Sequence, residues 1–277
     1  MFDLKQGSCK VVLLLLYSYI RYFCGEASMA EKELGRKLGT SGLAFLPLYK
    51  QVEKHVTQLI VEQRWKPGDM LPSEFQLADE FGVSQGTVRK ALNALTDAKV
   101  LTRKQGLGTY VAEHTGRPAL YRFFPIVEDG NTPELPESEI LSLSVQKPNE
   151  EVSHALNIKS DDLVVVLERR RRLNGQACIL EDIYLPSKYF PNLEKEPEIP
   201  HTLYHFYQTH FNLTVHKTVD RVKAMLAETK DAGLLEVNVG EPLIKFTRLT
   251  NSLEGVNIEY RITRCRSDNY HYLVKFD

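Results

Sequence analysis

The dipeptide Asn174-Gly175 limits the possible folds of this 277-residue chain more than any other feature. Both residues tolerate the positive φ angles of a type I′ turn, and two strand-like runs, LVVVLERRRRL and ACILEDIYLP, stand on either side. The pattern predicts a β-hairpin. More strand-like runs follow at LTVHKTVDRVKAML, PLIKFTRLTN and VNIEYRITRC, among short helical segments. Residues 125–277 are therefore predicted to form a mixed α and β domain with an antiparallel sheet, which excludes a simple βαβ pattern.

Residues 46–113 have a different pattern, in which apolar positions recur at helical spacing. The first helical segment ends at Pro67. Ser73 and Ser84 are the predicted N-caps of two further helices, which Gly82 separates. In the second of the three helices, four apolar residues are expected to face inward: Phe75, Leu77, Ala78 and Phe81.

A short hairpin closes this part of the chain. Two strand-like runs, at residues 100–103 and 109–111, flank a turn that contains Gly106. Three helices followed by two short strands are the plan of a winged helix-turn-helix domain, with residues 114–124 as the linker to the second domain. The predicted fold class is therefore α+β.

The start of the third helix is suited to the major groove of double-stranded DNA. In a helix-turn-helix, the N-terminal residues of that helix face the bases, so they must be polar, short or cationic. Between Val83 and Val111 there are five Lys or Arg residues and one acidic residue, although the whole chain has a formal net charge of −1. An amphipathic helix with cations on its solvated face is the alternative. The candidate DNA contacts are Ser73, Ser84, Gln85, Thr87, Arg89, Lys90, Arg103, Lys104 and Gly106.

The motifs LPSE, FGVS, TVR and GxGT occur in this order between Pro47 and Val111. With them, the segment resembles the N-terminal domain of the GntR family of bacterial transcription regulators almost throughout. The resemblance implies a repressor that binds a pseudo-palindromic operator as a homodimer. Phe75 and Gln85 depart from the family, in which arginine is frequent at both positions, so the operator sequence and the affinity stay open.

Four consecutive arginines, Arg169 to Arg172, lie on the first strand of the predicted hairpin. Alternate residues of a strand share a face, so Arg169 and Arg171 point one way and Arg170 and Arg172 the other. Two guanidinium groups about 6 to 7 Å apart can bind a phosphate or carboxylate in a forked geometry. A solvated strand with two cations on each face is the alternative.

The RxR before the turn, ExxYLP after it and the run VNIEY look like parts of the UTRA effector-binding domain, which marks the HutC subfamily of GntR regulators. The resemblance implies a chorismate-lyase-like fold and a pocket for a small effector, often an acidic one. The implied pocket residues are Arg169, Arg171, Glu181, Glu259 and, as a weaker candidate, Tyr204. Arg261 departs from the family, since aromatic residues are frequent there. We expect a small anionic metabolite, not necessarily a sugar phosphate; a non-anionic effector and an activator are the alternatives.

No metal site, cofactor or catalytic site is predicted. His201 and His205 have the i, i+4 spacing of two metal ligands, but no third ligand stands at a fixed spacing. The sequence lacks GxGxxG, GxxxxGK[ST] and GxSxG, and its four cysteines form no CxxC pair, which fits a reducing cytoplasm. An aminotransferase-like enzyme needs a longer second domain, and an all-helical, metal-dependent effector domain conflicts with the strand-rich second half.

Residues 1–45 are interpreted as a leader of doubtful authenticity. Its apolar run, Val11 to Ile20, has ten residues, about half of the roughly 20 that a membrane-spanning helix needs. Lys5 and Lys10 precede this run, as in a signal peptide, so an exported or membrane-tethered regulator is the alternative. We expect translation to start at Met29 and the regulator to be cytoplasmic, without a membrane partner.

Overall fold

The structure, a computed structural model, describes residues 46–116, 122–132 and 134–274. The leader and part of the predicted linker lie outside these residues. Two compact units are present, one made of 46–58 with Pro72–Asp97 and the other of Leu59–Leu71 with 98–274. In the described ranges, no helix is long and apolar enough to cross a membrane.

The first unit contains three helices: α1 (Leu48–Val61), α2 (Glu74–Phe81) and α3 (Gln85–Asp97). The last residues of α1, from Leu59 on, belong to the second unit. The predicted caps are confirmed. The Ser73 hydroxyl accepts a hydrogen bond from the backbone N–H of Gln76 at 3.3 Å, and the Gln76 side chain accepts one from the Ser73 N–H at 2.9 Å. Gly82 ends α2 in the left-handed region at φ 68°. The Ser84 hydroxyl accepts a hydrogen bond from the third residue of α3 at 3.2 Å.

The apolar faces of α2 and α3 are buried, with one exception. The buried residues are Leu77, Ala78, Phe81, Val88, Ala91, Leu92 and Leu95. Phe75 was expected to face inward, but it is 72% exposed, so that prediction was wrong. Two helical positions span about 200°, and Phe75 therefore points away from the side that Leu77 buries.

A hairpin follows α3, formed by β1 (Leu101–Lys104) and β2 (Gly108–Val111). This hairpin, called the wing from here on, pairs Arg103 with Thr109. Gly106 lies in its turn at φ 71°, with nothing within 4 Å of the position that a Cβ would take. The segment before α2 extends the wing, because the Leu71 N–H donates to the Thr109 carbonyl at 2.8 Å.

The rest of the second unit is built on a six-stranded antiparallel sheet with the strand order β4-β5-β6-β9-β8-β7. A separate antiparallel pair joins β3 to β10. The strands are β3 (Ile126–Glu128), β4 (Glu137–Gln146), β5 (Val164–Leu173), β6 (Gln176–Pro186), β7 (Val215–Leu226), β8 (Pro242–Ser252), β9 (Asn257–Arg266) and β10 (Tyr270–Tyr272). Asn174 and Gly175 connect β5 to β6 at φ 49° and 77°, which confirms the predicted hairpin.

Helices cover both faces of this sheet: α4 (Glu150–Leu156), α5 (Leu203–His210) and α6 (Thr229–Leu235). A short 3₁₀ helix spans Leu193–Lys195. Phe206 and Tyr207 of α5 share a buried cluster with Val165 and Leu167 of β5. The alternate residue Val166 packs instead in the cluster of α4. Because strand residues alternate, the face under α5 is also the face that carries Arg169 and Arg171.

Candidate functional site

A cavity of about 330 Å³ lies beside the N-terminal end of α5. Its walls combine apolar and aromatic side chains, among them Phe123, Phe124 and Leu203, with His114. In the described chain no acidic residue lines it, but four arginines do: Arg169, Arg171, Arg248 and Arg261. A cavity of this size and composition suits a small organic anion.

The arginine run divides between the two faces of β5. Arg169 and Arg171 are 2% and 3% exposed and line the cavity. Arg170 and Arg172 point to the other face, where they pair with Glu139 at 2.7 Å and with Glu236 at 3.3 Å. The predicted alternation is confirmed, and the interpretation of the run as a solvated strand was wrong for the face that carries Arg169 and Arg171.

Glu181 does not line the cavity itself but pairs with three of the arginines that do. It accepts hydrogen bonds from Arg169 Nε and from Arg261 Nη1, the second at 2.8 Å, and Arg171 Nη1 is 3.9 Å away. Burial alone would raise the pKa of Glu181, but the three guanidinium groups outweigh it and hold that pKa well below its usual range.

Glu259 is fully buried and also lies outside the cavity lining. It accepts hydrogen bonds from the hydroxyls of Tyr204 and Tyr207 at 3.0 and 2.8 Å, and from Arg261 Nη2 at 2.8 Å. Burial and the adjacent carboxylate raise the pKa of both tyrosines, which stay protonated donors. Tyr204 thus lines the cavity with its ring and holds Glu259 with its hydroxyl.

Arg171 differs from the other arginines of the cavity because neutral groups hold it. Nε donates to Ser138 Oγ at 3.1 Å, and Nη2 donates to the carbonyls of Pro136 and His201 at 3.3 and 3.2 Å. Its guanidinium lies 4.9 Å from the ring centre of Phe124. Burial, together with the positive charge of Arg169, lowers the pKa of Arg171 to about 9.

Two arginines of the site, Arg248 and Arg261, were missed as site residues from the sequence. Arg248 Nε and Nη2 donate to the two carboxylate oxygens of Asp220 at 2.7 and 2.6 Å. Arg261 stands directly opposite Arg248 in the β8–β9 pairing. The available signal was the period of two on β9, which places Arg261 on the face of Glu259.

Gln208 of α5 connects the cavity wall to the end of the wing. Its Oε1 accepts from the His114 N–H at 3.1 Å, and its Nε2 donates to the Ala112 carbonyl at 3.1 Å. Nε2 of the His114 imidazole lies 2.9 Å from the carbonyl oxygen of Val215. Because a carbonyl oxygen only accepts hydrogen bonds, the proton of the neutral imidazole is assigned to Nε2. Burial first, and then the charge of Arg122, lower the pKa of His114 to about 4. His114 is therefore neutral at pH 7.

The histidine pair considered as a metal site is not on one helix. His201 precedes α5, and its Nδ1 accepts the Ser138 N–H at 2.9 Å. Within the described parts of the chain, no group of three or more His, Cys, Asp or Glu residues is placed to hold a metal ion.

Except for Ser73, the candidate DNA contacts of the first unit lie at the start of α3, with Ser84, Gln85 and Lys90 exposed. The hydroxyls of Ser84 and Thr87 are 2.9 Å apart. Lys90 Nζ lies 4.0 Å from the ring centre of Tyr49. Arg89 Nε donates to Glu74 Oε2 of α2 at 2.8 Å.

The candidate DNA contacts outside α3 have two different surroundings. Arg103 and Lys104 are exposed on the wing, and Lys104 Nζ lies 4.2 Å from the ring centre of Tyr110. The hydroxyl of Ser73 is engaged in the cap of α2, where it also lies 2.9 Å from Gln76 Oε1.

Comparison with known families agrees with this architecture. Residues 48–111 match the family described as bacterial regulatory proteins, gntR family, and residues 134–271 match the UTRA domain. Joined in one chain, the two domains define the class of bacterial transcription regulators with a helix-turn-helix domain and an effector domain. The chain belongs to the GntR family and, through its UTRA domain, to the HutC subfamily.

Curated relatives cover most of the chain. It is 31% identical over 210 residues to the histidine utilization repressor of Pseudomonas putida, a match that spans 74% of this chain and 82% of that protein. It is 26% identical over 229 residues to the mannosyl-D-glycerate transport/metabolism system repressor MngR of Escherichia coli, spanning 82% and 95%. The ligand-binding domain of a GntR-family transcriptional regulator from Bordetella bronchiseptica superimposes with a TM-score of 0.53 at 25% identity, over 57% of this chain and 99% of that one.

Proposed function

We propose that this chain is a cytoplasmic, homodimeric repressor that leaves its DNA operator when a small anionic metabolite binds in the arginine-lined cavity. It acts as a binding protein and not as an enzyme. Arg171 carries the proposal: its guanidinium is 3% exposed and lines the cavity, and in the described chain its closest carboxylate oxygen, from Glu181, is 3.9 Å away. A buried cation without its own counter-ion favours the binding of an anion.

The charges around the cavity support an anionic effector. Arg169, Arg171 and Arg261 share two carboxylates, those of Glu181 and Glu259, while Arg248 has its own carboxylate. Among the described residues of this cluster, one positive charge is therefore left over. Arg169 and Arg261 have strong internal partners, so Arg171 is the guanidinium proposed to bind the effector.

The start of α5 adds donors to the same side of the cavity. Thr202, Leu203 and Tyr204 line it, and the side chain of the N-cap residue Thr202 makes no capping hydrogen bond. The first N–H groups of an α-helix have no partner within the helix, and they carry the positive end of its dipole. We place the acidic group of the effector between Arg171 and this helix end, with its apolar part against Phe123 and Phe124.

The remaining predicted effector residues have supporting roles in this proposal. Glu181 fixes Arg169 and Arg261, and Glu259 fixes Arg261 with Tyr204. These buried pairs keep the wall of the cavity in one geometry before the effector arrives.

On the DNA side, we assign residues 46–113 to operator binding and 125–277 to effector binding, joined by 114–124. The exposed start of α3 enters the major groove of each half-site, and the wing contacts the backbone. Two symmetric half-sites require two copies of the chain, hence the homodimer. The proposed contacts are Ser73, Ser84, Gln85, Thr87, Arg89, Lys90, Arg103, Lys104 and Gly106.

Helix α5 offers a route from the effector to the wing. Its first residues line the cavity, and Gln208, near its other end, holds Ala112 directly after β2 and His114 in the cavity wall. An effector that binds better to one position of α5 shifts this contact and with it the end of the wing.

The test uses wild-type protein with Arg171→Ala, and Arg172→Ala as the control on the opposite face of β5. A thermal-shift screen of small carboxylates and phosphate esters identifies a stabilising anion, and gel shifts on duplexes selected from a randomised pool measure DNA binding. We expect Arg171→Ala to keep DNA binding but to bind that anion at least about 30-fold more weakly. Arg172→Ala should behave like wild type.

Two outcomes contradict the proposal. One is an Arg171→Ala protein that responds to the anion as wild type does, and the other is stabilisation of the wild type by neutral or cationic compounds alone. In the same assays, Arg89→Ala should weaken operator binding by at least tenfold and leave the thermal shift by the anion unchanged.

A further inference from the structure

Arg89 is an exposed cation of α3 that a carboxylate of the neighbouring helix holds. Its Nε lies 2.8 Å from Oε2 of Glu74, the first residue of α2. The side chain of Arg89 is 57% exposed and that of Glu74 only 22%, so the arginine extends toward solvent from a less exposed anchor. Lys90, the next residue, contacts the ring of Tyr49 instead. The two cations are therefore held in different ways.

The atom that Glu74 binds decides which donors remain available. A guanidinium is planar and carries five N–H donors in a fixed arrangement. Arg89 uses Nε for Glu74, and within the described chain its Nη1 and Nη2 have no hydrogen-bond acceptor. These two nitrogens form the pair of parallel donors that matches O6 and N7 of guanine in the major groove.

The carboxylate also changes which DNA group Arg89 prefers. A phosphate carries a negative charge, which Glu74 repels at this short range, whereas the edge of guanine is neutral. The ion pair further restricts a flexible side chain before binding, which reduces the ordering cost of a bidentate contact. The repulsion favours a base over the DNA backbone, and the restriction strengthens the bidentate contact that Arg89 then makes.

We infer that Glu74 is a positioning residue that makes Arg89 a reader of guanine and not a phosphate contact. The inference rests on the proposed function, since it requires that α3 enters the major groove. It assigns a guanine to each half-site, and it assigns operator selectivity to a residue of α2 that does not itself touch that guanine.

The experiment compares full-length wild type with Glu74→Ala, Glu74→Gln and Arg89→Ala. Asp79→Ala is the matched control, because it removes an exposed carboxylate from the same helix. Wild type first selects its operator from randomised duplexes. Dissociation constants are then measured on that operator, on copies with each guanine replaced by 7-deazaguanine or adenine, and on an unrelated duplex at several salt concentrations.

For wild type and Asp79→Ala, replacing one guanine per half-site should weaken binding about 5- to 150-fold. Arg89→Ala and Glu74→Ala should discriminate less than threefold at that position. On the unrelated duplex, the slope of log K against log salt should become steeper by about 0.9 in Glu74→Ala and Glu74→Gln, because Arg89 is then available to a phosphate. A loss of folding alone would not steepen this slope.

Glu74→Ala with the guanine preference and salt slope of wild type would overturn the inference while leaving the proposed function intact. The same conclusion follows if Arg89→Ala still prefers that guanine. If wild type selects no sequence at all, the proposed function itself fails and the inference fails with it. Far-ultraviolet circular dichroism checks that each variant is folded, and Glu74→Gln keeps the size of the side chain should Glu74→Ala unfold.

Discussion

The cations around the cavity and the cations of α3 and the wing are organised in opposite ways. Arg169, Arg171 and Arg261 are at most 6% exposed and bind carboxylates, carbonyls and a hydroxyl within one network. Lys90 and Lys104 are exposed and rest on the rings of Tyr49 and Tyr110. The first set has a fixed geometry and weak screening by salt, while the second is adaptable and strongly screened.

This difference matches the two kinds of ligand that we propose, a small anion and DNA. A small anion inside a cavity is recognised by donors at fixed positions, and the cost of burying them is met by internal carboxylates. DNA is a long polyanion, and its attraction depends on exposed charge and on released counter-ions. Changes in the buried network should therefore alter stability and the effector response, and changes in the exposed cations should alter the salt dependence of DNA binding.

Removal of the Glu181 charge should have the largest effect. Glu181→Gln leaves three buried guanidinium groups with one carboxylate, so we expect a loss of about 3 to 5 kcal/mol in the free energy of unfolding. The control Glu139→Gln affects the pair of Arg170 on the other face of β5, where Glu139 is 50% exposed, and should change stability by about 0.5 kcal/mol or less. Urea denaturation measures both. Equal small losses would mean that the network is as well solvated as the surface.

The next effect is the pH dependence of stability that His114 causes. The folded pKa of His114 is about 4 and the unfolded pKa is about 6.5, so acid protonates the unfolded chain first. Stability from this residue is fully present above pH 6.5 and should fall by roughly 3 kcal/mol as the pH drops to about 4. The pKa of Glu181 is also depressed by folding, but its contribution is lost only below the unfolded value of about 4.3.

Urea denaturation between pH 7 and 4.5 separates the two residues. His114→Gln should make the pH dependence in this window smaller than in wild type, and His210→Gln, which replaces an exposed imidazole, serves as the control. If His114→Gln keeps the slope of wild type, His114 is not the buried neutral group that the structure places against Val215.

The same network shows how far the sequence alone could lead. The hairpin and the alternation along β5 follow from Asn174-Gly175 and the period of two, and both are present. A regular two-residue turn, however, would place Leu180 opposite Arg169. A β-bulge next to Arg171 shifts the pairing by one residue, so Glu181 stands opposite Arg169 instead. No local pattern marks this bulge, and Glu181 was named only through the resemblance to the UTRA domain.

Arg248 and Asp220 show the other limit. They lie directly opposite each other on the neighbouring strands β8 and β7. Their pairing, and the pairing of Arg248 with Arg261, depend on the strand order of the whole sheet, which periodicity does not contain. The first unit was more predictable, because the caps of its helices are local: Ser73, Gly82 and Ser84 stand where the sequence placed them.

Replacement of Gln208 should have an intermediate effect. It should reduce the coupling between effector binding and operator binding, and leave the two binding affinities themselves nearly unchanged. We expect Gln208→Ala to bind operator and effector nearly as wild type does, while the effector no longer weakens operator binding; a coupling of the usual 5- to 150-fold should fall below about threefold. Thr209→Ala, at the exposed neighbour on α5, is the control and should keep the coupling. Operator titrations with and without a saturating anion measure it. Full coupling in Gln208→Ala would exclude this contact as the route.

The smallest effect should come from one cation of the wing. Lys104→Ala should remove the single phosphate contact that we propose for this residue, so the slope of log K against log salt should decrease by about 0.9, and every DNA sequence should be affected alike. Lys188→Ala is the matched control, because Lys188 also lies over a tyrosine ring, 4.7 Å from that of Tyr189. Its slope should equal that of wild type. A Lys104→Ala protein that selects a different DNA sequence and keeps the salt slope of wild type would contradict this prediction. The wing would then read bases, and its exposed cations would be held in a fixed geometry, as the buried arginines of the cavity are.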